Sequence, residues 1–356
     1  MAQAYAHTIP RTFDQLRISH SRITAYRATF VDEISQEAKE KRLANLTRGK
    51  YNGFMSQKTR IQVRDRLHNW INSVDRHFRG KREFRRKAGI QFGLITLTLP
   101  CTQNHTDADL KRKALKPFIQ QLQRKHRVDN YFWVMEAQKN GSAHFHLVVD
   151  RYIDHRKLRK LWNSYMHDLG YIQDYRHAQQ HWHQGNFRVR ADLLDHWSYG
   201  NQVDAFIRGH MENWSNPNTT DIHGIKHVKN LAAYLSKYLT KCDDVRPIEG
   251  RLWGCSDRLR SVEPITIKLG PRLKAVLMQL AEEKGSRFFG TDFNWTLWRF
   301  DSHVLFTMYP VLSEIWSNFS RHCIRYLYPK LLADNFFDSL VPEVRQERLQ
   351  LVEVYG

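Results

Sequence analysis

An α+β fold, with an antiparallel sheet covered by helices, is what this sequence predicts, on three observations. Runs with strand periodicity, GLITLTLP (93–100), YFWVMEAQ (131–138) and HFHLVVD (144–150), are interspersed with runs of helical periodicity. The second and third of these strands flank Lys139-Asn-Gly-Ser142, and Asn-Gly between two apolar runs is a strong hairpin signal. Hydrophobic residues make up 41% of 356, enough for a core, and strands mixed with helices around hairpins favour an antiparallel sheet.

Residues 1–55 are polar, with a charged helical pattern around EISQEAKEKRLANL. From Ser56, a suitable N-cap, Leu67, Trp70, Ile71 and Val74 fall at helical spacing and predict an amphipathic helix to about residue 76. RHFRGKREFRRK follows, with seven Lys or Arg in the twelve positions from Arg76 to Lys87. It reads as a solvated linker or as an arm that tracks phosphates; the net charge favours the arm, with Arg79, Lys81, Arg82, Arg85, Arg86 and Lys87 as its contacts. After the strand at 93–100, DADLKRKALKPFIQQLQRKH suits a helix, the hairpin comes next, and DHRKLRKLWNSYMHDLG suits another helix. FRVRAD reads as a short strand, HVKNLAAYLSKYLTK (227–241) as a helix, and RLWGCS and VEPITIKL as strands. Beyond about residue 270 the chain reads as helical and aromatic-rich; VLFTMYPVLSEIWSNFSRHCIRYLY suits a packed core better than an exposed surface. The expected organisation is a basic helical N-terminal extension (1–89), a central domain (90–270) and a helical C-terminal region (271–356).

Charge narrows the partner. Lys and Arg number 56 against 36 Asp and Glu, a net charge of +20, which calls for a polyanion, and nucleic acid leads. No uninterrupted apolar run approaches membrane-spanning length and MAQAYAHTIPRTFDQ lacks a signal-peptide core, so a soluble cytoplasmic protein without a membrane partner is expected. Cys101, Cys242, Cys255 and Cys323 show no paired spacing and read as reduced thiols.

Within SAHFHLVVD, His144 and His146 share one face of a strand, while Phe145, Leu147 and Val149 share the other. Two imidazoles and the carboxylate of Glu136 make a mixed nitrogen and oxygen site suited to Mg²⁺ or Mn²⁺, although zinc or iron would accept the same trio. The register decides whether the trio forms. A strict two-residue Asn140-Gly141 turn pairs Glu136 with Phe145 and faces it away from the histidines, whereas a three-residue loop with a bulge at Gly141 turns it onto their face. A metal site therefore predicts an odd loop. Gln138, on the face of Glu136, is the alternative third ligand. His181-Trp-His183 copies the spacing of the pair but has no carboxylate at hairpin distance.

On the helix at 227–241, Val228, Leu231, Ala232, Leu235 and Leu239 form the apolar stripe, with Tyr234, Lys237, Tyr238 and Lys241 to one side. Tyr234 and Tyr238 are one turn apart and can present both hydroxyls to one place. A tyrosine hydroxyl, with a pKa of about 10, is a poor nucleophile until it is activated. Attack on a phosphodiester needs positive charge around the phosphate, which a metal and nearby lysines would supply.

With these residues assembled, the chain resembles the HUH endonucleases, and among them the two-tyrosine rolling-circle replication initiators of small single-stranded DNA phages and bacterial plasmids. GLITLTLP resembles their first motif, EAQKNGSAHFH their metal motif and YLSKYLTK their nucleophile motif, within roughly residues 90–260. The resemblance implies a five-stranded antiparallel sheet of ferredoxin-like type, with the histidines on a central strand and the tyrosine helix beside it. It implies nicking of single-stranded DNA at a replication origin, a 5′-phosphotyrosine link and a 3′-OH primer, with a host helicase and DNA polymerase as partners. By the same resemblance His144, His146 and Glu136 are metal ligands, Tyr234 and Tyr238 alternate as nucleophiles, and Lys237 and Lys241 hold the phosphate. No phosphate-binding loop of a fused helicase is present; Gly285 to Gly290 has the spacing but lacks the lysine. Rival readings are a two-tyrosine transposase or relaxase, a non-catalytic nucleic-acid-binding protein, and an iron oxygenase, which leaves the tyrosines and the charge unused.

Overall fold

The computed structural model describes residues 11–18, 22–30, 36–48, 52–78, 82–224, 245–260, 262 and 265–268, with short pieces at 271, 275, 287–288, 295–298, 321 and 323–329. The chain divides into two compact units, one of Met1–Tyr51, Ile61–Gly80 and Arg258–Gly356, the other of Asn52–Arg60 and Lys81–Asp257.

The second unit is built on a five-stranded antiparallel sheet. Its strands are β3 (Gly93–Thr98), β4 (Tyr131–Ala137), β5 (Ala143–Val149), β6 (Thr220–Gly224) and β7 (Trp253–Cys255), in the order β6-β3-β5-β4-β7. This is the expected α+β architecture, with the histidine strand at its centre. Ile95 and Leu97 of β3, with Phe145 and Leu147 of β5, are fully buried on one face. Against that face pack α5 (Lys116–His126) and α6 (His155–Asp168): the Trp162 ring meets Phe118 and Phe145 edge-on, at centroid distances of 5.4 and 6.2 Å, and its indole N–H donates to Thr98 O at 2.8 Å. Each buried large side chain of this kind contributes about 1.5–3 kcal/mol.

The helix predicted after β3 forms, from α4 (Asp107–Leu110) through a π turn at Lys111–Leu115 into α5. The Thr106 hydroxyl caps it by accepting from Asp109 N at 3.1 Å. Asp154 caps α6 in the same way. Beyond α6 lie α7 (Tyr171–His183) and α8 (Tyr199–Met211), held together by a cluster of His183, Phe187, Phe206 and Trp214. FRVRAD, between them, is not a strand: residues 187–190 are irregular and Ala191–Leu193 is a short 3-10 turn. The Gln202 side chain satisfies the Arg190 N–H and C=O at 2.7 and 3.1 Å, so that backbone needs no neighbouring strand. The sheet edge is instead TDIHG, β6, whose two exposed charged positions hid its period.

The first unit carries a second five-stranded sheet, which departs from the helical reading of residues 1–89 and 271–356. Its strands are β1 (Arg11–Ile18), β2 (Arg22–Phe30), β8 (Ile265–Lys268), β9 (Arg287–Phe288) and β10 (Trp295–Trp298), in the order β8-β1-β2-β10-β9. Polar residues stand on both faces of β1 and β2, so no apolar alternation announced them. The pair is held partly across the strands, with Arg27 Nε 3.1 Å from Asp14 Oδ1. Helices do form at α1 (Gln36–Arg48) and α2 (Gln57–His77), the latter capped by the Ser56 hydroxyl as expected, and Leu67, Trp70, Ile71 and Val74 are buried. The Trp70 indole donates to Tyr328 OH at 3.0 Å, with Cys323, Ile324 and Leu327 buried too, so this end of the aromatic stretch is core. Cys101, Cys255 and Cys323 are free thiols. Among the described residues no helix is long and apolar enough to cross a membrane.

Candidate metal centre

The site begins with a turn. Gln138 N–H donates to Ser142 O at 2.9 Å, and Gly141 N–H returns to Gln138 O at 2.8 Å, enclosing a three-residue loop of Lys139, Asn140 and Gly141. Gly141 has φ +81°, the left-handed value that a bulge of this type requires. The Asn140 side chain tightens the loop by accepting from Ser142 N at 3.0 Å. This is the odd loop that a metal site demands. Its register places Glu136 opposite His144 and Val134 opposite His146.

Glu136, His144 and His146 consequently meet on one face, with one ligand atom from each within 4.8 Å of the others. His146 Nε2 lies 3.0 Å from Glu136 Oε1, and the two imidazoles pack edge-on at 4.5 Å. Ions such as Mg²⁺, Mn²⁺ or Zn²⁺ hold such ligands at about 2.0–2.2 Å. Ligand atoms separated by 3 to 4.8 Å fit around one ion of that size, so the residues present suit a divalent metal.

The surroundings tune the ligands. Burial and the neighbouring imidazole of His146 push the His144 pKa down to about 4, with Glu136 opposing. At neutral pH the ring is uncharged and keeps a lone pair to give. Gln138 is not a third ligand but a support, its amide 3.1 Å from His144 Nδ1; an amide oxygen there holds that N–H and leaves Nε2 free. Thr96 Oγ1, from β3, lies 3.4 Å from His146 Nδ1. Glu136 and His144 are half-buried and His146 is buried, which leaves a face open to substrate oxygens.

Further contacts, which the sequence did not reveal, fix the loop. Arg246 donates to both carboxylate oxygens of Asp107 at 2.7 and 2.8 Å, and its Nε donates to Gly141 O at 2.6 Å. Gln103 joins them, donating to Asp107 at 2.9 Å while accepting from Ala143 N at 2.7 Å. The bulge is thus tied to the start of α4 from two directions. Asp107 and Arg246 are 139 positions apart, and no local pattern links them.

Tyr234, Tyr238, Lys237 and Lys241 lie outside the described residues, as do Arg79 and Lys81. Arg82, Arg85, Arg86 and Lys87 fall on the short helix α3 (Arg82–Lys87). Arg85 donates to Ile90 O at 3.3 Å and stacks on Phe92, Lys87 lies 3.6 Å from Glu83, and Arg86 is exposed. The competing His181-Trp-His183 sits on α7, where residues two apart diverge; His183 is buried among aromatic rings and its Nδ1 accepts from Arg188 N at 3.2 Å.

Gly141→Val is expected to cost about 1–2 kcal/mol, the left-handed penalty for a residue with a Cβ, and to weaken metal binding with it. A Cβ at Gly141 meets nothing within 4 Å, so the loss measured by denaturant titration reports backbone strain rather than a clash.

A carboxylate and two imidazoles gathered on the central strands of an antiparallel sheet define a protein with a metal-competent centre in an α+β unit. Residues 93–243 match a family model of replication-associated proteins, the ORF2 type. The match bears out the resemblance to replication initiators, and over this segment the chain is similar to replication-associated proteins. No curated protein and no solved structure matches the chain.

Proposed function

We propose that the protein initiates rolling-circle replication by nicking and joining single-stranded DNA at an origin, through a covalent 5′-phosphotyrosine intermediate. The observation that carries this reading is the three-residue loop, which gathers Glu136, His144 and His146 inside the segment similar to replication-associated proteins. Mg²⁺ or Mn²⁺ bound by the trio would polarise the scissile phosphate. Tyr234 or Tyr238 attacks phosphorus through its hydroxyl oxygen and gives up its proton. The bond to the 3′ oxygen breaks, and that oxygen takes a proton to become the free 3′-OH that primes synthesis. The second tyrosine then repeats the attack on the next strand, and the liberated 3′-OH reverses the first link. Lys237 and Lys241 supply positive charge to the phosphate, and the basic segment from Arg79 to Lys87 holds flanking DNA. In this reading residues 90–270 are the nuclease, 1–89 and 271–356 are accessory regions, and a host helicase and polymerase act with the protein in a bacterial cytoplasm.

The test is incubation with a library of labelled single-stranded oligonucleotides and Mn²⁺, followed by denaturing electrophoresis and peptide mass analysis. We expect a metal-dependent adduct on Tyr234 or Tyr238 that disappears in the Tyr234→Phe/Tyr238→Phe variant. Tight binding without an adduct, in folded and metal-loaded protein, would move a non-catalytic DNA-binding role to first place.

A further inference from the structure

Away from the metal trio, a groove of about 810 Å³ opens between the N-terminal half of α6 and the end of α8. Arg156, Arg159 and Lys160 line it from α6, Arg208 and Glu212 from α8, and Asn216 from the loop that follows. Four permanent cations thus face one carboxylate. Arg156, Lys160 and Arg208 have no ion-pair partner among the described residues.

Arg159 is the telling member. Its Nη2 donates to Asn218 Oδ1 at 2.6 Å, yet its Nε–H is buried with no acceptor. A buried donor left unpaired costs about 1–3 kcal/mol. In a groove of like charges, the acceptor that relieves it must be an anion brought from outside, and a phosphate offers the oxygens a guanidinium fork suits best.

The groove is also wired to the sheet that bears the histidines. Asn163 in its wall donates to Pro217 O at 3.0 Å and accepts from the Thr219 hydroxyl at 2.5 Å. Thr219 O accepts from both the N–H and the hydroxyl of Thr98, at 2.9 and 3.1 Å, and Thr98 stands opposite His144. One hydrogen-bonded path therefore runs from the groove to the strand beside the metal ligands.

We propose that this groove binds the sugar–phosphate backbone of a single DNA strand, on the stretch flanking the cleaved bond. The proposal rests on the nuclease reading above for its substrate. Cations three and four residues apart on α6 lie about 5–6 Å from one another, which suits successive phosphates of one extended strand. A volume of about 810 Å³ holds a few nucleotides of one strand rather than a duplex.

The test is fluorescence anisotropy with a labelled oligothymidylate between about 50 and 200 mM salt. The Arg156→Ala/Lys160→Ala/Arg208→Ala variant is compared with a Lys39→Ala/Lys58→Ala/Lys125→Ala variant that loses the same charge elsewhere on the exposed surface. Single-strand contacts contribute about 0.7 each to the salt slope, so the groove variant should lose about 2 from its slope and at least about tenfold in affinity at the low-salt end. Glu212→Lys should bind more tightly than the parent. Equal losses in the groove and control variants, equal losses on a duplex of the same length, or no binding by the parent would each overturn the proposal. Circular dichroism of each variant guards against unfolding. Scoring the covalent adduct in the same samples separates the two readings: a slope difference without any adduct removes the nuclease and keeps the groove, and an adduct without a slope difference does the reverse.

Discussion

His146→Ala is expected to abolish Mn²⁺ binding, and strand cleavage with it. The side chain is only 2% exposed and its Nε2 lies 3.0 Å from Glu136 Oε1, so no other group can move in to replace it. Losing a partner that merely orients a ligand costs about 10–100-fold in metal affinity; losing the ligand should exceed about 100-fold. Calorimetric titration with Mn²⁺ reads this directly. Thermal unfolding gives an independent measure, because an ion at about 100 times its Kd stabilises the native state by about 2.7 kcal/mol. That gain should be present in the parent and absent in the variant. His181→Ala, on the exposed side of α7, should change neither. Retention of parental Mn²⁺ affinity by folded His146→Ala protein would remove the trio from the mechanism.

Arg246→Ala should have the largest effect on stability. Asp107 is only 3% exposed and depends on Arg246 for two of its hydrogen bonds. Stripping one partner from such a pair leaves a buried charge and costs about 3–5 kcal/mol. Burial alone raises the Asp107 pKa, but the bonds from Arg246, from Gln103 and from the Glu249 N–H more than reverse this and hold it at about 2, below the ordinary 3.8. The unfolded chain therefore takes up this proton first as the pH falls. The native state gains about 2 kcal/mol from this group above pH 4 and loses it between about pH 4 and 2. Without the guanidinium, burial prevails and the pKa rises, so the deficit of the variant should shrink as acid is added. Denaturant titrations at neutral pH and near pH 3 measure both. A variant within about 1 kcal/mol of the parent at neutral pH would show that the clamp is dispensable.

The metal face could be read from the sequence because strand geometry admits few solutions. Once His144 and His146 share a face, only the parity of the loop decides where Glu136 goes, and Gly141 is the residue that permits an odd one. The helix after β3 and helix α6 were legible from apolar period and caps. Other features were not, for physical reasons. β1 and β2 place charged residues on both faces, so the alternation that marks a half-buried strand is missing. FRVRAD has that alternation, yet the Gln202 side chain satisfies its backbone and the strand never forms. Arg246, Asp107 and Gln103 act together across more than a hundred residues, and a bond of that range leaves no period to detect.

The two sheets also differ in when they can exist. Every strand of the histidine sheet lies between Gly93 and Cys255, so its pairing is complete in principle once Cys255 has left the ribosome. The β1–β2 hairpin is made within the first thirty residues, but β1 waits for β8 at Ile265–Lys268 and β2 for β10 at Trp295–Trp298. Trp70 waits still longer for Tyr328, 258 positions on. During elongation, which runs at about 5–20 residues per second, the earliest hairpin of the chain therefore carries two open edges for longer than any other strand pair. Arg11, Asp14, Arg17, Arg22 and Arg27 keep those edges charged, the usual guard against pairing with the wrong strand. The polar composition that hid these strands in the sequence is thus what a hairpin born this early needs.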